Sequence, residues 1–448
     1  MKTTLLILLA AIASVSIPLH ASAMTVPDLP DPLQNFTITG AGASFPYPLI
    51  DLWRVEYNKE YPNVNLNYQS IGSGGGVKQH IERTVNFAAS DAPLKQSEAD
   101  LAPGSLQIPE SIGGVVMAYN LPEVPDKGLK LTGEIIADIY LGKITRWNDQ
   151  HIMQINPQLD LSDQEIVVAK RSDGSGTTFV FTDYLSVMST EFYEEVGKGK
   201  SVPWSTKKGS AGNEVSTGPA AAGNEGVAGI IRSTPYSIGY VELAYAFQTG
   251  MSFAFVQNAD RTAFIEPTLE TISAASVGVA DSLPAADGDW SNVTLVNAPG
   301  PDSYPIASFT YLLLYNDISQ STKSLEEAKA MIHMIHWMIT DGQNHSESLL
   351  YVPLSEVVVE IGKKGLAMVK YDDQVLFEYA CSPDTAASNV ILDSNFCGTV
   401  SMPDTAASIY TIPEWLKDNA RWWADGLISD EAYISGLQYL ISQGIIKI

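Results

Sequence analysis

The chain has 448 residues, with 26 Lys and Arg against 51 Asp and Glu, so its formal net charge is −25. A protein that binds the nucleic-acid backbone needs a basic stripe that displaces counterions, and this sequence has none. The acidic balance also argues against docking on an anionic membrane surface. Hydrophobic residues make up 45% of the chain and charged residues 17%, which is a globular composition, and the length predicts about two or three domains.

The first residues have the layout of a secretory signal peptide. Lys2 is followed by an apolar stretch over residues 5–19 and then by the small residues 21–23. We expect residues 1–23 to be removed, which leaves a soluble extracytoplasmic protein. A membrane anchor is the alternative, but the run is shorter than the roughly 20 apolar residues that a spanning helix needs, and Pro18 interrupts it.

Between the signal and about Tyr371, short apolar or β-branched runs alternate with amphipathic segments, which predicts an α/β fold. The runs over residues 112–119 and 309–315 predict buried strands. A single core of more than about 300 residues normally divides, so we expect two lobes. Helices are predicted over residues 47–60, 77–84, 178–185 and 325–340.

The C-terminal residues 381–448 differ in sequence pattern from the rest of the chain. Cys381 and Cys397 are the two cysteines, and in an exported protein such a pair favours a disulfide over a metal site or a catalytic thiol. Residues 381–411 contain the near-repeat PDTAAS and read as a linker. Residues 412–448 predict a small helical hairpin, with Pro413 in the first turn of its first helix.

Three polar, glycine-rich segments stand out, at residues 39–46, 70–78 and 170–178. Each combines hydroxyl residues with glycines just ahead of a predicted helix. Glycine allows close approach of the backbone, and a helix start leaves amide N–H groups unpaired, so each segment can present donors to an anion. None fits a Walker A loop, a dinucleotide G-x-G-x-x-G pattern or a G-x-S-x-G nucleophile elbow. Structural turns and helix caps are the alternative for any one segment taken alone.

Charged residues in and near these segments indicate which kind of anion could bind. Arg171 is the only arginine in these segments, and Asp173 is placed to hold its guanidinium, which suits a tetrahedral oxyanion. A surface ion pair of little worth is the alternative for these two residues. Asp91 can accept a hydrogen bond from a protonated phosphate oxygen, whereas ionised sulfate has no proton to give. A turn or helix cap is the alternative for Asp91.

Seven collinear motifs carry a family resemblance. They strongly resemble the extracytoplasmic phosphate-binding proteins of phosphate-specific ABC transporters over about residues 36–377. The resemblance implies a two-lobed, hinged periplasmic-binding-protein fold of type II, and a binding protein rather than an enzyme. The motifs are TGAGASFP (39–46), IGSGGGVKQ (71–79), ASDAPL (89–94), IGGVVMAYN (112–120), IYLGKITRWND (139–149), RSDGSGTTFVFTDYL (171–185) and IGYVELAYA (238–246).

Carried over position by position, the resemblance implies a phosphate-binding set. In that set Asp91 accepts the phosphate proton, and Asp173 orients the arginine from behind. Ser44 stands where the family often has Thr, so the hydroxyl is kept. No catalytic residue, metal or cofactor is implied. The implied ligand residues are Ser44, Phe45, Ser73, Asp91, Arg171, Ser175, Gly176 and Thr177.

The resemblance also implies where the lobes divide. Residues 36–116 and 306–380 would form lobe I, and residues 117–305 would form lobe II, with phosphate bound between them. The chain would cross between the lobes near residues 114–119 and 306–311.

The leading hypothesis is therefore high-affinity binding of inorganic phosphate and its delivery to ABC transporter permease subunits by a monomeric protein. A related oxyanion such as arsenate, which also carries protons near neutral pH, is an alternative ligand. A phosphatase is a second alternative, disfavoured because the sequence shows no metal-ligand cluster. His333 and His336 lie three residues apart on a predicted helix without an acidic partner, which favours packing.

The C-terminal stretch resembles a short module found at the ends of diverse secreted archaeal proteins. Its aromatic residues suit an attachment face or a cell-surface partner, because aromatic side chains are enriched at interfaces. A packed hairpin without a partner is the alternative. The aromatic residues concerned are Trp415, Trp422 and Trp423.

Overall fold

The computed structural model describes residues 27–124, 128–204 and 218–378. The predicted signal peptide, the cysteine pair Cys381 and Cys397, the linker and the C-terminal hairpin lie outside the described residues. No helix within the described ranges is long and apolar enough to cross a bilayer.

Twelve α-helices are present in the described part of the chain. They are α1 Tyr47–Glu60, α2 Gly72–Ile81, α3 Gln96–Ala99, α4 Gly133–Tyr140, α5 Gln150–Ile155, α6 Gly176–Met188, α7 Thr190–Glu195, α8 Gly223–Ser233, α9 Leu243–Gln248, α10 Leu269–Ala274, α11 Leu325–Ile339 and α12 Glu356–Ala367.

The strands alternate with these helices along the chain. They are β1 Phe36–Gly42, β2 Val64–Ser70, β3 Phe87–Ser90, β4 Ser105–Asn120, β5 Lys130–Leu131, β6 Val167–Arg171, β7 Ala220–Ala221, β8 Ser237–Glu242, β9 Ser252–Phe253, β10 Phe255–Gln257, β11 Phe264–Ile265, β12 Leu295–Val296, β13 Ile306–Tyr315, β14 Lys370–Tyr371 and β15 Gln374–Val375.

A ten-stranded sheet runs through the molecule in the order β2-β1-β3-β13-β4-β8-β6-β7, with β12 added to β13 and β9 added to β4. Strand β4 changes partner along its length. Its residues up to Gly114 pair with β13, and its residues from Val115 pair with β8, both antiparallel. We call the part with β2, β1, β3 and β13 region 1, and the part with β8, β6 and β7 region 2.

The core covers both faces of this sheet. Strand β4 is buried continuously from Leu106 to Tyr119, as expected for a strand with both faces covered. Helix α1 packs Trp53 and Tyr57 inward, and the Trp53 indole donates to the Gly342 carbonyl at 2.7 Å. His333 is buried on α11, with Nδ1 2.8 Å from the Tyr57 hydroxyl, which confirms its packing role.

Most predicted elements are confirmed, and two helix starts are corrected. Helix α1 spans the predicted residues, and both predicted buried strands are present within β4 and β13. Helix α2, however, begins at Gly72 rather than at residue 77, and α6 begins at Gly176 rather than at residue 178. The glycines of α2 enter the helix because close packing outweighs their low propensity: a Cβ on Gly76 would lie 2.5 Å from Gly42 Cα.

This packing predicts that Gly76→Ala destabilises the fold. The added methyl would also meet the carbonyl oxygens of Ala41 and Ala89 at 2.9 Å, so backbone has to move. We expect a loss of about 1–3 kcal/mol in the free energy of unfolding, measured by chemical denaturation. Gly229→Ala on α8 is the control, because its Cβ would meet open space and should cost nothing. Equal stability of the two variants would contradict this packing.

Candidate functional site

The predicted site residues follow the carboxyl ends of strands from both regions of the sheet. In region 1, β1 ends shortly before Ser44 and β3 ends just before Asp91. In region 2, β6 ends at Arg171. Strands β1 and β3 are parallel neighbours, and ligand crevices of α/β sheets form at the carboxyl ends of such strands.

Helix starts meet at the same place. Helix α2 begins at Gly72, α6 at Gly176 and α8 at Gly223. Each start carries partial positive charge from the helix dipole and amide N–H groups without intrahelical partners. Ser73 lies in the first turn of α2 and Thr177 in the first turn of α6. The convergence therefore favours an anion.

Two serine hydroxyls are arranged as proton donors. Ser44 Oγ accepts hydrogen bonds from the Asn224 backbone N at 3.1 Å and from Asn224 Nδ2 at 3.0 Å. Ser73 Oγ accepts from Asp91 N at 3.2 Å and from Gly176 N at 3.1 Å. A hydroxyl has two acceptor lone pairs and one proton. Both lone pairs of each serine are filled by N–H donors, so its proton is left to donate to an acceptor in the site.

Asp91 lies between the two regions and is 1% exposed. Thr177 Oγ1 donates to its Oδ2 at 3.4 Å, and Thr310 Oγ1 lies 3.3 Å from its Oδ1. Burial raises the pKa of Asp91 to about 7, against the opposing effects of the Arg171 charge and the hydroxyl hydrogen bonds. A turn or cap role does not fit a carboxyl group whose partners are distant in sequence.

One edge of the Arg171 guanidinium is bound by Asp173, and the other edge faces the candidate site. Its Nε and Nη2 donate to the two carboxylate oxygens of Asp173 at 2.7 Å and 2.5 Å. The Arg171 side chain is 1% exposed and that of Asp173 is 17% exposed, so the two do not form a surface ion pair. The remaining edge of the guanidinium points towards Thr177, with Nη1 3.5 Å from its Oγ1. Asp173 thus fixes the plane of the Arg171 guanidinium, a geometry that suits an oxyanion.

The other expected ligand residues are present with their own local partners. Ser175 is the N-cap of α6 and accepts from Thr178 N at 3.0 Å, while its own N–H donates to the Lys200 carbonyl. The Phe45 carbonyl accepts from the Tyr351 hydroxyl at 2.6 Å. Lys78, by contrast, has a side chain that is 73% exposed, 3.9 Å from Glu82, and lies outside the buried set.

The two regions touch directly beside the site. Gly74 N–H of α2 donates to the Gly174 carbonyl at 2.8 Å. A Cβ on either glycine would lie 3.0 Å from the Cα of the other, so a side chain at either position would push the two backbones apart. The glycines of the second and third segments therefore allow close contact between the two regions.

Sequence reasoning missed several residues of the site. Asn224 is the most connected: Nδ2 donates to Ser44 and to Thr177 Oγ1 at 3.1 Å, and Oδ1 accepts from Glu242 N at 3.0 Å. Its signal was a polar residue after Gly223 at a helix start, the pattern used for the other segments. The remaining missed residues are Glu110, Tyr240, Glu242, Tyr245, Thr310 and Tyr351.

Within the described residues, no group of three or more His, Cys, Asp and Glu side chains is arranged to hold a metal ion. The charged side chains near Asp91 are the Arg171 guanidinium, which is buried, and its partner Asp173, which is partly exposed.

Comparisons with known proteins agree with this geometry. The PBP superfamily domain matches residues 30–341. A protein of Pasteurella multocida named phosphate-binding protein PstS is 43% identical over 332 residues, which cover 73% of this chain and 89% of that protein. A protein of the same name from Haemophilus influenzae is 43% identical over 338 residues, covering 75% and 94%.

Solved structures support the fold. The crystal structure of a phosphate-binding protein from Stenotrophomonas maltophilia aligns with a TM-score of 0.52 at 19% identity, covering 73% of this chain and 93% of that one. The predicted α/β periplasmic-binding-protein fold of type II is confirmed by these findings. The chain belongs to the PBP superfamily and, within it, to the family of phosphate-binding proteins named PstS.

Proposed function

We propose that this protein binds inorganic phosphate outside the cytoplasmic membrane and delivers it to the permease of an ABC transporter for import. Membership of the phosphate-binding family supports this function. The observation that carries it is the position of Asp91, a buried carboxyl group among hydroxyl and amide donors and near the buried Arg171. A carboxylate in an anion site is useful only if the anion brings a proton.

The proposed ligand shell draws on both regions of the sheet. Ser44, Phe45, Ser73 and Asp91 come from region 1. The region 2 contribution is Arg171, Ser175, Gly176 and Thr177. The proton directions at the two serines support donation from Ser44 and Ser73 to phosphate oxygens.

Phosphate capture would proceed by closure of two lobes about the long strands. We propose lobe I as residues 36–116 and 306–380 and lobe II as residues 117–305. The change of partner in β4 after Gly114 and the pairing of Ala307 with Gly114 support a hinge at this point. Closure would exclude water and strengthen every hydrogen bond to the bound anion.

The direct test is calorimetric titration with phosphate and with sulfate. We expect phosphate to bind far more tightly, because the ionised Asp91 repels an anion that cannot donate a proton. Asp91→Asn should narrow the preference for phosphate over sulfate by at least about tenfold, or about 1.4 kcal/mol, because the amide can donate to either anion. Equal affinity of the wild-type protein for both anions would refute the role of Asp91. Arsenate, which also carries protons, should bind the wild-type site and is the alternative ligand.

The pH dependence of sulfate binding gives a second prediction. The pKa of Asp91 is raised by burial to about 7, so its carboxyl group gains a proton as the pH falls through that value. The protonated group can donate to sulfate, which does not itself titrate in this range. Sulfate affinity should therefore rise as the pH falls below about 7, and Asp91→Asn should flatten this rise. A wild-type profile as flat as that of the variant would count against the mechanism.

Closure should depend on the contact between Gly74 and Gly174. Gly74→Val would place a branched side chain where a Cβ already lies 3.0 Å from Gly174 Cα. We expect phosphate affinity to fall at least about tenfold, measured by calorimetry. Gly229→Val is the matched control, since it also changes a helical glycine but into open space. Wild-type affinity in the Gly74 variant would show that this approach is not needed for binding.

The protein acts in this proposal as a monomeric binding protein and not as an enzyme. Arg171, the hydroxyls and the helix starts can hold phosphate without a nucleophile aimed at phosphorus. Phosphomonoester turnover by the purified protein, abolished by Arg171→Ala, would instead support the phosphatase alternative.

The signal sequence and the C-terminal residues complete the proposal. Residues 1–23 would direct export, and residues 412–448 would attach the protein or recruit a cell-surface partner without taking part in phosphate binding. Deleting residues 412–448 should therefore leave phosphate affinity within about twofold of the wild-type value. A large loss of affinity in calorimetry would refute this division of labour.

A further inference from the structure

Two buried glutamates border the site without a role in the proposed ligand shell. Glu110 on β4 and Glu242 at the end of β8 are both 0% exposed. Glu110 Oε2 and Glu242 Oε1 each lack a hydrogen-bond partner among the described residues. An ionised carboxylate buried with one oxygen unpaired is costly, whereas a protonated carboxyl group is much less so.

A β-bulge directs Glu110 towards the site. Thr310 of β13 pairs with Ser111 and Tyr311 pairs with Pro109, so Glu110 is the extra residue between them. Bulges re-aim a side chain out of the regular alternation of a strand. Here Glu110 Oε1 lies 3.1 Å from Thr310 Oγ1, which in turn lies 3.3 Å from Asp91 Oδ1.

The Thr310 hydroxyl has one proton and two carboxyl oxygens as neighbours. It can donate to only one of them, so the other carboxyl group has to carry a proton and donate back. Asp91 has the better support for charge, from the nearby Arg171 and from the Thr177 hydroxyl. The proton is therefore assigned to Glu110, with Glu110 donating to Thr310 and Thr310 donating to Asp91.

Glu242 is also expected to carry a proton, because it shares the hydroxyl of Tyr351 with another acceptor. The Tyr351 hydroxyl lies 2.6 Å from the Phe45 carbonyl oxygen and 3.0 Å from Glu242 Oε2. A carbonyl oxygen cannot donate, so the single Tyr351 proton points to Phe45. Glu242 then has to donate to the Tyr351 oxygen, while its Oε2 also accepts from Ala244 N at 2.8 Å.

We propose that Glu110 and Glu242 are proton-carrying positioning residues of the anion site, each acting through one hydroxyl relay. Glu110 acts through Thr310 on Asp91, and Glu242 acts through Tyr351 on the carbonyl of Phe45. The neutral state of both acids keeps two negative charges away from the bound dianion and leaves Asp91 as the one proton acceptor. The consequence for phosphate affinity rests on the proposed function, whereas the protonation of the two glutamates does not.

The electrostatics of the surroundings support this assignment. Burial, with a smaller contribution from the Asp91 charge, raises the pKa of Glu110 to about 8 and that of Glu242 well above its usual range, although hydrogen bonds to both groups act in the opposite direction. Burial also raises the pKa of each tyrosine facing them, so these tyrosines stay neutral. The titratable groups that face the two glutamates are Asp91, Tyr68, Tyr245 and Tyr351.

Infrared spectroscopy of the ligand-free protein at neutral pH tests the protonation directly. A protonated carboxyl group has a carbonyl stretch well separated from the carboxylate bands. Glu110→Gln and Glu242→Gln should each remove part of this signal, and Glu356→Gln, at an exposed position of α12, should not. Retention of the full signal in both buried variants would overturn the proposal, whether or not the protein binds phosphate.

Phosphate calorimetry on the same variants tests the positioning role. Glu110→Leu and Glu242→Leu cannot donate to Thr310 or Tyr351, so each should weaken phosphate binding by about tenfold or more at neutral pH. The glutamine variants, whose side-chain nitrogen donates where the protonated acid did, should recover most of that affinity, and equal affinity of the leucine and glutamine variants would contradict the positioning role. If Glu110 were ionised, Glu110→Gln would remove a negative charge beside the dianion and tighten binding by about tenfold or more, which would overturn the assignment.

Phosphate affinity measured at alkaline pH gives a further test, because a purely structural role of Glu110 would not change its dependence on pH. Phosphate stays a dianion above its second pKa, so its own titration does not interfere there. Wild-type affinity should fall as the pH rises through about 8, where Glu110 ionises in the free protein, and Glu110→Gln should reduce this fall. Identical alkaline profiles would contradict the proposal. A wild-type protein that fails to bind phosphate at all would refute the proposed function while leaving the infrared result to decide the protonation.

Discussion

Carboxyl groups buried where the two regions of the sheet meet set the central constraint on this molecule. Asp91, Glu110 and Glu242 share a small volume with little exposure to solvent. Removing charge from water is costly, so the site cannot hold three ionised carboxylates and a dianion together. One buried arginine does not offset that sum, because Asp173 already pairs with it. In the proposed site, the direction of each proton would therefore decide which anion can bind.

The fold creates this volume by bringing strand ends and helix starts together. Strands β1 and β3 end beside the start of α2, and β6 ends beside the start of α6. Glycines allow these elements to approach at backbone distance, as Gly74 and Gly174 show. The aligned amides and hydroxyls can then solvate an anion in place of water, without a cluster of cationic side chains.

Local sequence patterns predicted many of the helices and strands, but they did not predict which distant residues contact the candidate site residues. Helix α1 and the two long buried strands were predicted from the pattern of apolar residues. The early start of α2 was missed because glycines disfavour helix, and their presence there is explained by close contacts with residues distant in sequence, Gly76 with Gly42 and Gly74 with Gly174. Long-range partners could not be predicted: Thr310 reaches Asp91 across 219 positions, through a bulge that no local pattern announces.

The acidic composition limits which partners can bind the surface of the protein, but it does not exclude an anion in the buried site. A net charge of −25 excludes partners that need a basic surface, yet it says little about a buried site built from one arginine, hydroxyls and amides.

A high-resolution crystal structure of the protein grown with phosphate is the most direct measurement of how the anion is bound. The account predicts one phosphate oxygen at short hydrogen-bond distance from an Asp91 carboxylate oxygen, with Arg171, Ser44 and Ser73 on the other oxygens. Phosphate bound away from Asp91, or no phosphate between the two regions, would contradict it.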